Sequence, residues 1–165
     1  MSTRIFAPWV VPIAAQHREG RRELVELARS LPVGAWSRPS PFPGWTFKDL
    51  LAHVAGDTGK TALRLLRSVA VDQRADQTLF DQIGKDVDAR NERDVVERRE
   101  QSVDELIAEI EADGEEWDEL LARFGEEHKD LRQEGIPWSL SEALSSNPGE
   151  HQREHLAQLR TALEV

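Results

Sequence analysis

The sequence predicts an all-α protein folded as a four-helix bundle, and three observations carry that prediction. Apolar residues recur at spacings of three and four in four separate stretches. No stretch alternates apolar and polar residues with the period of two that a half-buried strand needs. Residues 71–90 hold scattered polar groups and few apolar anchors, which reads as a long, partly helical crossover that lets the second and third helices run parallel.

The first helix is marked by Ile13, His17, Gly20, Leu24, Leu27 and Leu31, and Pro32 followed by Gly34 ends it. The connector Pro39-Ser-Pro-Phe-Pro-Gly-Trp45 cannot be helical, because its three prolines lack donors and fix φ. The second helix starts at Thr46, with Asp49 three residues on as the acid of a short capping box. Its face is Phe47, Leu50, Leu51, Val54, Thr58, Leu65 and Val69, and it should run to about residue 70.

The third helix presents Val96, Val103, Leu106, Ile107, Ile110, Trp117, Leu120, Leu121 and Phe124 on one face. Ser102 and Glu105 form a capping box for its main part, and Gly125 stops it. Ser139 and Glu142 cap the fourth, whose apolar positions are Leu140, Leu144, Leu156, Leu159 and Leu163. Asn147, Pro148 and Glu150 match the preferences of a new helix start, so a kink or restart is expected there.

At 165 residues the chain has the size of one domain, and a single domain over 1–165 is expected. The formal net charge is −10, a field that repels phosphate backbones, so nucleic acid is not an expected partner. Pro8 and Pro12 interrupt the apolar opening, which runs straight into a charged helix, and no stretch approaches the ~20 apolar residues of a membrane span. No membrane partner is expected, and the expected location is cytoplasmic. There is no cysteine, so disulfides, thiolate ligands and a cysteine nucleophile are excluded together, leaving histidine and carboxylate as strong metal ligands.

Five histidines remain to be placed. At about 100° per residue, with Leu140 at zero, His151 falls near about 20° and His155 near about 60°, provided the restart keeps phase. Both then face the core, where a shared ion or a hydrogen-bonded pair would satisfy them. A His-x-x-x-His pair one turn apart is a known way to hold zinc, and a third ligand decides between the two readings. His53 lies at the margin of the second helix's apolar face, within reach of a seam with a neighbour. His17 reads as a core or boundary residue, and His128, within Glu126-Glu-His-Lys-Asp130, as part of a solvated run. Asp57, Glu150 and Glu154 are each within one turn of a candidate ligand and would serve to orient an imidazole, although a solvated acid is the plainer reading.

The run Pro43-Gly-Trp-Thr-Phe-Lys-Asp-Leu-Leu-Ala-His53 resembles a block of the DinB-like superfamily, and Glu150-His-Gln-Arg-Glu-His-Leu-Ala-Gln-Leu-Arg160 resembles its second block. Both are similar to those of the mycothiol-dependent maleylpyruvate isomerase N-terminal domains, and the likeness covers most of residues 13–163. The resemblance implies a four-helix bundle and metal ligands at His53, His151 and His155, the same three residues that the helical angles select. It also implies a divalent metal, zinc first and nickel second, and joining of a small thiol to an electrophile or isomerisation through a thiol adduct.

The expectation is therefore a metal-dependent thiol transferase or isomerase acting on a small-molecule substrate or thiol. Its rivals are a metal-dependent hydrolase, a non-catalytic ligand-binding bundle and a structural partner protein. Three protein ligands leave an open position on the ion, as catalytic sites do. Trp45 and Phe47 are candidates for the mouth, with packing beneath the connector the plainer role for at least one. With the sequence stopping at Val165, the further C-terminal domain of the maleylpyruvate isomerases is expected to be missing, so maleylpyruvate is not the first substrate considered. The sequence leaves a homodimer open.

Overall fold

The computed structural model describes residues 4–72, 74, 87–132, 137–145 and 148–163, with backbone alone at 57–62, 72, 148–152 and 162. Six α-helices lie among them: α1 Val11–Ser30, α2 Phe47–Asp72, α3 Val87–Arg98, α4 Val103–Leu121, α5 Leu140–Ser145 and α6 Pro148–Leu163. No β-strand occurs among the described residues, only isolated bridges at Pro39 with Thr46 and Arg132 with Ser139. None of the described helices is long and apolar enough to cross a membrane. Residues 75–86, most of the expected crossover, lie outside the described residues.

The local signals place most helix starts. Asp49 Oδ2 accepts from Thr46 N at 2.8 Å while Asp49 N donates to Thr46 Oγ1 at 3.2 Å, closing the short capping box. Ser102 with Glu105, and Ser139 with Glu142, close theirs in the same way. The expected third helix is in fact two. It breaks between Arg98 and Val103, because the Ser102 cap takes the amide of Glu105 and starts a new helix. The break also turns the preceding residues, so that Val95 is buried and Val96 is 53% exposed. In the second half of α2 the buried face is Leu63, Leu66 and Val69 rather than the expected Leu65, which is half-buried. The fourth helix restarts at Pro148, as its cap residues foretold.

Ion pairs give the helix directions. Arg29 reaches Glu111 and Arg18 reaches Asp118, so α1 and α4 are antiparallel. Lys48 Nζ donates to the Arg99 carbonyl ahead of α4, and Arg67 pairs with Glu116 near its end, so α2 and α4 run the same way. Glu19 pairs with Arg153 and Glu23 with Arg160, which makes α1 and α6 parallel. Arg98, 6% exposed, holds Glu109 through Nε at 3.1 Å and Nη2 at 3.0 Å, a two-pronged bond that docks α3 on α4.

The core divides into two apolar clusters. One gathers Leu24, Leu50, Leu51, Leu106, Ile107 and Leu159, and the other gathers Ile13, Leu66, Trp117, Leu121 and Phe124. Between them the apolar stripe of α1 is interrupted by buried His17 and Gly20, and that of α4 by buried Gly114. Buried His17 and the two glycines thus mark a waist between the apolar clusters.

Candidate metal centre

The capping box at Thr46 sets the start of α2 and hence the rotation at which His53 emerges, beside Leu51 and Val54 of the core. His53 is 3% exposed, buried more deeply than a residue at the margin of an apolar face should be. On α6, His155 keeps the phase of the apolar stripe, next to buried Leu156 and one turn before Leu159, and is 5% exposed. The two rings meet with centroids 5.1 Å apart and planes at 90°.

That separation is informative. Two imidazoles on one tetrahedral ion, each with a metal–nitrogen bond of about 2 Å, have centroids about 5 Å apart. An edge-to-face ring pair also falls in this range, so the hydrogen bonds carry the distinction. Nδ1 of His155 lies 2.8 Å from Oε1 of Gln158, an acceptor. That contact orients the ring through Nδ1, as an outer partner orients a metal-ligating imidazole.

An aromatic cover closes this pair. Phe42 stands 6.0 Å from the His155 ring, Trp45 stands 5.5 Å from the His53 ring, and Phe42 and Trp45 lie 5.7 Å apart. The connector holds them by a local turn in which Ser40 N donates to the Trp45 carbonyl at 2.8 Å and Trp45 N to the Phe42 carbonyl at 3.1 Å. Gly44 has φ +83°, left-handed backbone that glycine adopts without strain. The indole Nε1 of Trp45 donates to Glu92 on α3 at 3.1 Å, tying the cover to that helix.

The structure thus brings together two of the three expected ligands. The backbone of His151 lies in α6 one turn before His155, but its side chain lies outside the described residues, as do those of Asp57 and Glu150. Among the described residues, no group of three or more histidines and carboxylates is placed to hold an ion. Glu154 is exposed, in keeping with its plainer reading as a solvated acid, and it is Gln158 that contacts the His155 ring. Sequence reasoning passed over Gln158 although it sits three residues beyond His155 on one helix face, the spacing that lets side chains meet. Phe42 was passed over too, since nothing in a proline-rich connector says which way its aromatics turn.

The remaining expectations divide. Trp45 lines the site, whereas Phe47 is 1% exposed within the core. His17 is a core residue, 2% exposed and stacked on Trp117 at 4.8 Å, and burial, followed by the nearby charges of Arg21 and Arg18, lowers its pKa to about 4. His128 is not solvated as its charged neighbours suggested. Its side chain is 13% exposed, its Nδ1 accepts from Gly125 N at 3.0 Å and its ring packs on Phe124.

No curated protein and no solved structure matches the chain. A family model does, over residues 17–163, which takes in both sequence blocks and the chain from within α1 to the end of α6. By that match the chain belongs to the mycothiol maleylpyruvate isomerase N-terminal domain family.

Proposed function

We propose that this protein holds a divalent metal ion with His53, His151 and His155 and uses it, with a low-molecular-weight thiol, as a transferase or isomerase in the cytoplasm. The observation that carries the reading is the buried pair itself: His53 and His155 with ring centroids 5.1 Å apart, the His155 ring oriented through Nδ1 by Gln158. Membership in a family described by mycothiol chemistry supports the thiol. The chain has no cysteine, so the sulfur comes from a cosubstrate.

A divalent ion in such a site, zinc first and nickel second, supplies Lewis acidity that makes a thiol or water in its open position more acidic. The protein's own groups do the rest. Gln158 keeps the His155 ring oriented, and the burial of both histidines keeps bulk water from competing for their ring nitrogens. Phe42 and Trp45 present apolar faces beside the pair, suited to the carbon skeleton of an electrophile rather than to a charged group.

Turnover with defined probes tests this. Mycothiol, bacillithiol or glutathione should be consumed together with a halonitrobenzene or an epoxide only when metal is present, and His155→Ala should abolish the reaction. Metal-dependent hydrolysis of an activated ester without thiol consumption would replace this reading with a hydrolase. The absence of both reactions would replace it with a binding bundle.

A further inference from the structure

Where α1 packs on α4, three polar atoms are buried without a hydrogen-bond partner among the described residues: Nδ1 of His17, Nη1 of Arg21 and Oδ1 of Asp118. They belong to groups already in contact. Asp118, 2% exposed, receives Arg18 Nε on its other oxygen at 2.9 Å, and the same oxygen lies 3.6 Å from Arg21 Nη2. His17 precedes Arg21 by one turn of α1 and stacks on Trp117, the residue before Asp118. A guanidinium beside a carboxylate usually closes two parallel bonds. Here the contact that exists exceeds hydrogen-bond length, and the second donor and second acceptor are both unpaired.

The sequence explains why the arginine lies there. Gly114 is a helix-weakening residue in the middle of α4, and a Cβ at that position would fall 1.4 Å from Arg21 Nη1 and 2.2 Å from Cζ. The missing side chain lets the guanidinium lie across α4. Arg18 occupies Oδ2 of Asp118 and leaves Oδ1 without a partner among the described residues.

Donor and acceptor chemistry then selects what could bridge these atoms. It must accept from Arg21 and donate to Asp118. A metal cation cannot accept, and a fully ionised anion cannot donate to a carboxylate. Water does both and typically makes about three bonds when buried. His17, Trp117 and Asp118 are each at most 3% exposed, so the seam is shielded from bulk solvent.

We propose that the α1–α4 seam is an internal hydration site, in which one ordered water accepts from Arg21 Nη1 and donates to Asp118 Oδ1 and His17 Nδ1. The water completes the polar layer at the waist of the bundle and links the two helices where apolar contacts stop. It is independent of the metal reading.

A high-resolution crystal structure of the full chain tests it. The expected result is one well-ordered peak of water size about 3 Å from all three atoms, present whatever the crystallisation buffer. Direct bonds between Arg21 Nη1 and Asp118 Oδ1 with no peak between them would overturn the proposal. Density larger than one water, or a peak that follows the buffer anion, would overturn it as well.

Discussion

At the scale of single residues, the bond from His155 to Gln158 and the burial of His17 have separate consequences. Removing the group that orients a metal-binding imidazole typically costs about 10–100-fold in affinity. Gln158→Ala should therefore weaken metal binding by about that factor in a chelator competition while leaving the helical circular dichroism unchanged. Unaltered affinity would mean that Gln158 only packs. His17 titrates with a folded pKa of about 4 against an ordinary 6.5. A histidine whose folded pKa is depressed contributes stability that is complete above the unfolded value and is lost as pH falls toward the folded one. In metal-free protein, the urea unfolding free energy should thus fall by about 3 kcal/mol between pH 6.5 and 4 on this account. His17→Phe, which keeps a ring on Trp117, should remove most of that drop, and an equal drop in the variant would place its origin elsewhere.

At the scale of elements, what was legible in the sequence was whatever local chemistry decides. The three capping boxes, the restart at Pro148 and the apolar stripes of α1 and α6 were legible because a cap or a period is set by residues within a turn or two. The break at residues 99–102 was not, although its cap was, since Val96 stands at a helical spacing from Val103 and lets the two stretches pass for one helix. The shift of the buried face in α2 was hidden for another reason: α2 is 26 residues long and meets different neighbours at its two ends, which periodicity alone does not register. Of the site, the identity of the two histidines was legible and the aromatic cover was not, because the direction of Phe42 depends on a turn closed across the connector. That turn predicts its own variant. Gly44→Ala puts a side chain at φ +83° and should destabilise the protein by about 1 kcal/mol, a fall of roughly 3 °C in melting temperature. Gly114→Ala improves helix propensity by about 1 kcal/mol, yet it should also lower stability. Its Cβ displaces Arg21 and leaves the buried Asp118 with Arg18 alone, a cost of roughly 1–3 kcal/mol set against that gain. A stabilised Gly114→Ala protein would show that Arg21 can leave freely.

Across the whole molecule, two apolar clusters carry the fold and a polar waist separates them. Stability and site are therefore expected to be separable, because the clusters are formed by leucines and aromatics that owe nothing to a bound ion. A chelated sample should retain its helical spectrum, and loss of most of it would make the ion structural. The charge of −10 attracts divalent cations to the surface without specificity, so occupancy has to be read after exhaustive dialysis and by variant. The most direct measurement is elemental analysis of the purified chain beside His53→Ala, His151→Ala, His155→Ala and His17→Ala. The account predicts about one equivalent of divalent metal in the parent and in His17→Ala, with a marked loss in each of the other three. Metal retained in His53→Ala and lost in His17→Ala would contradict it.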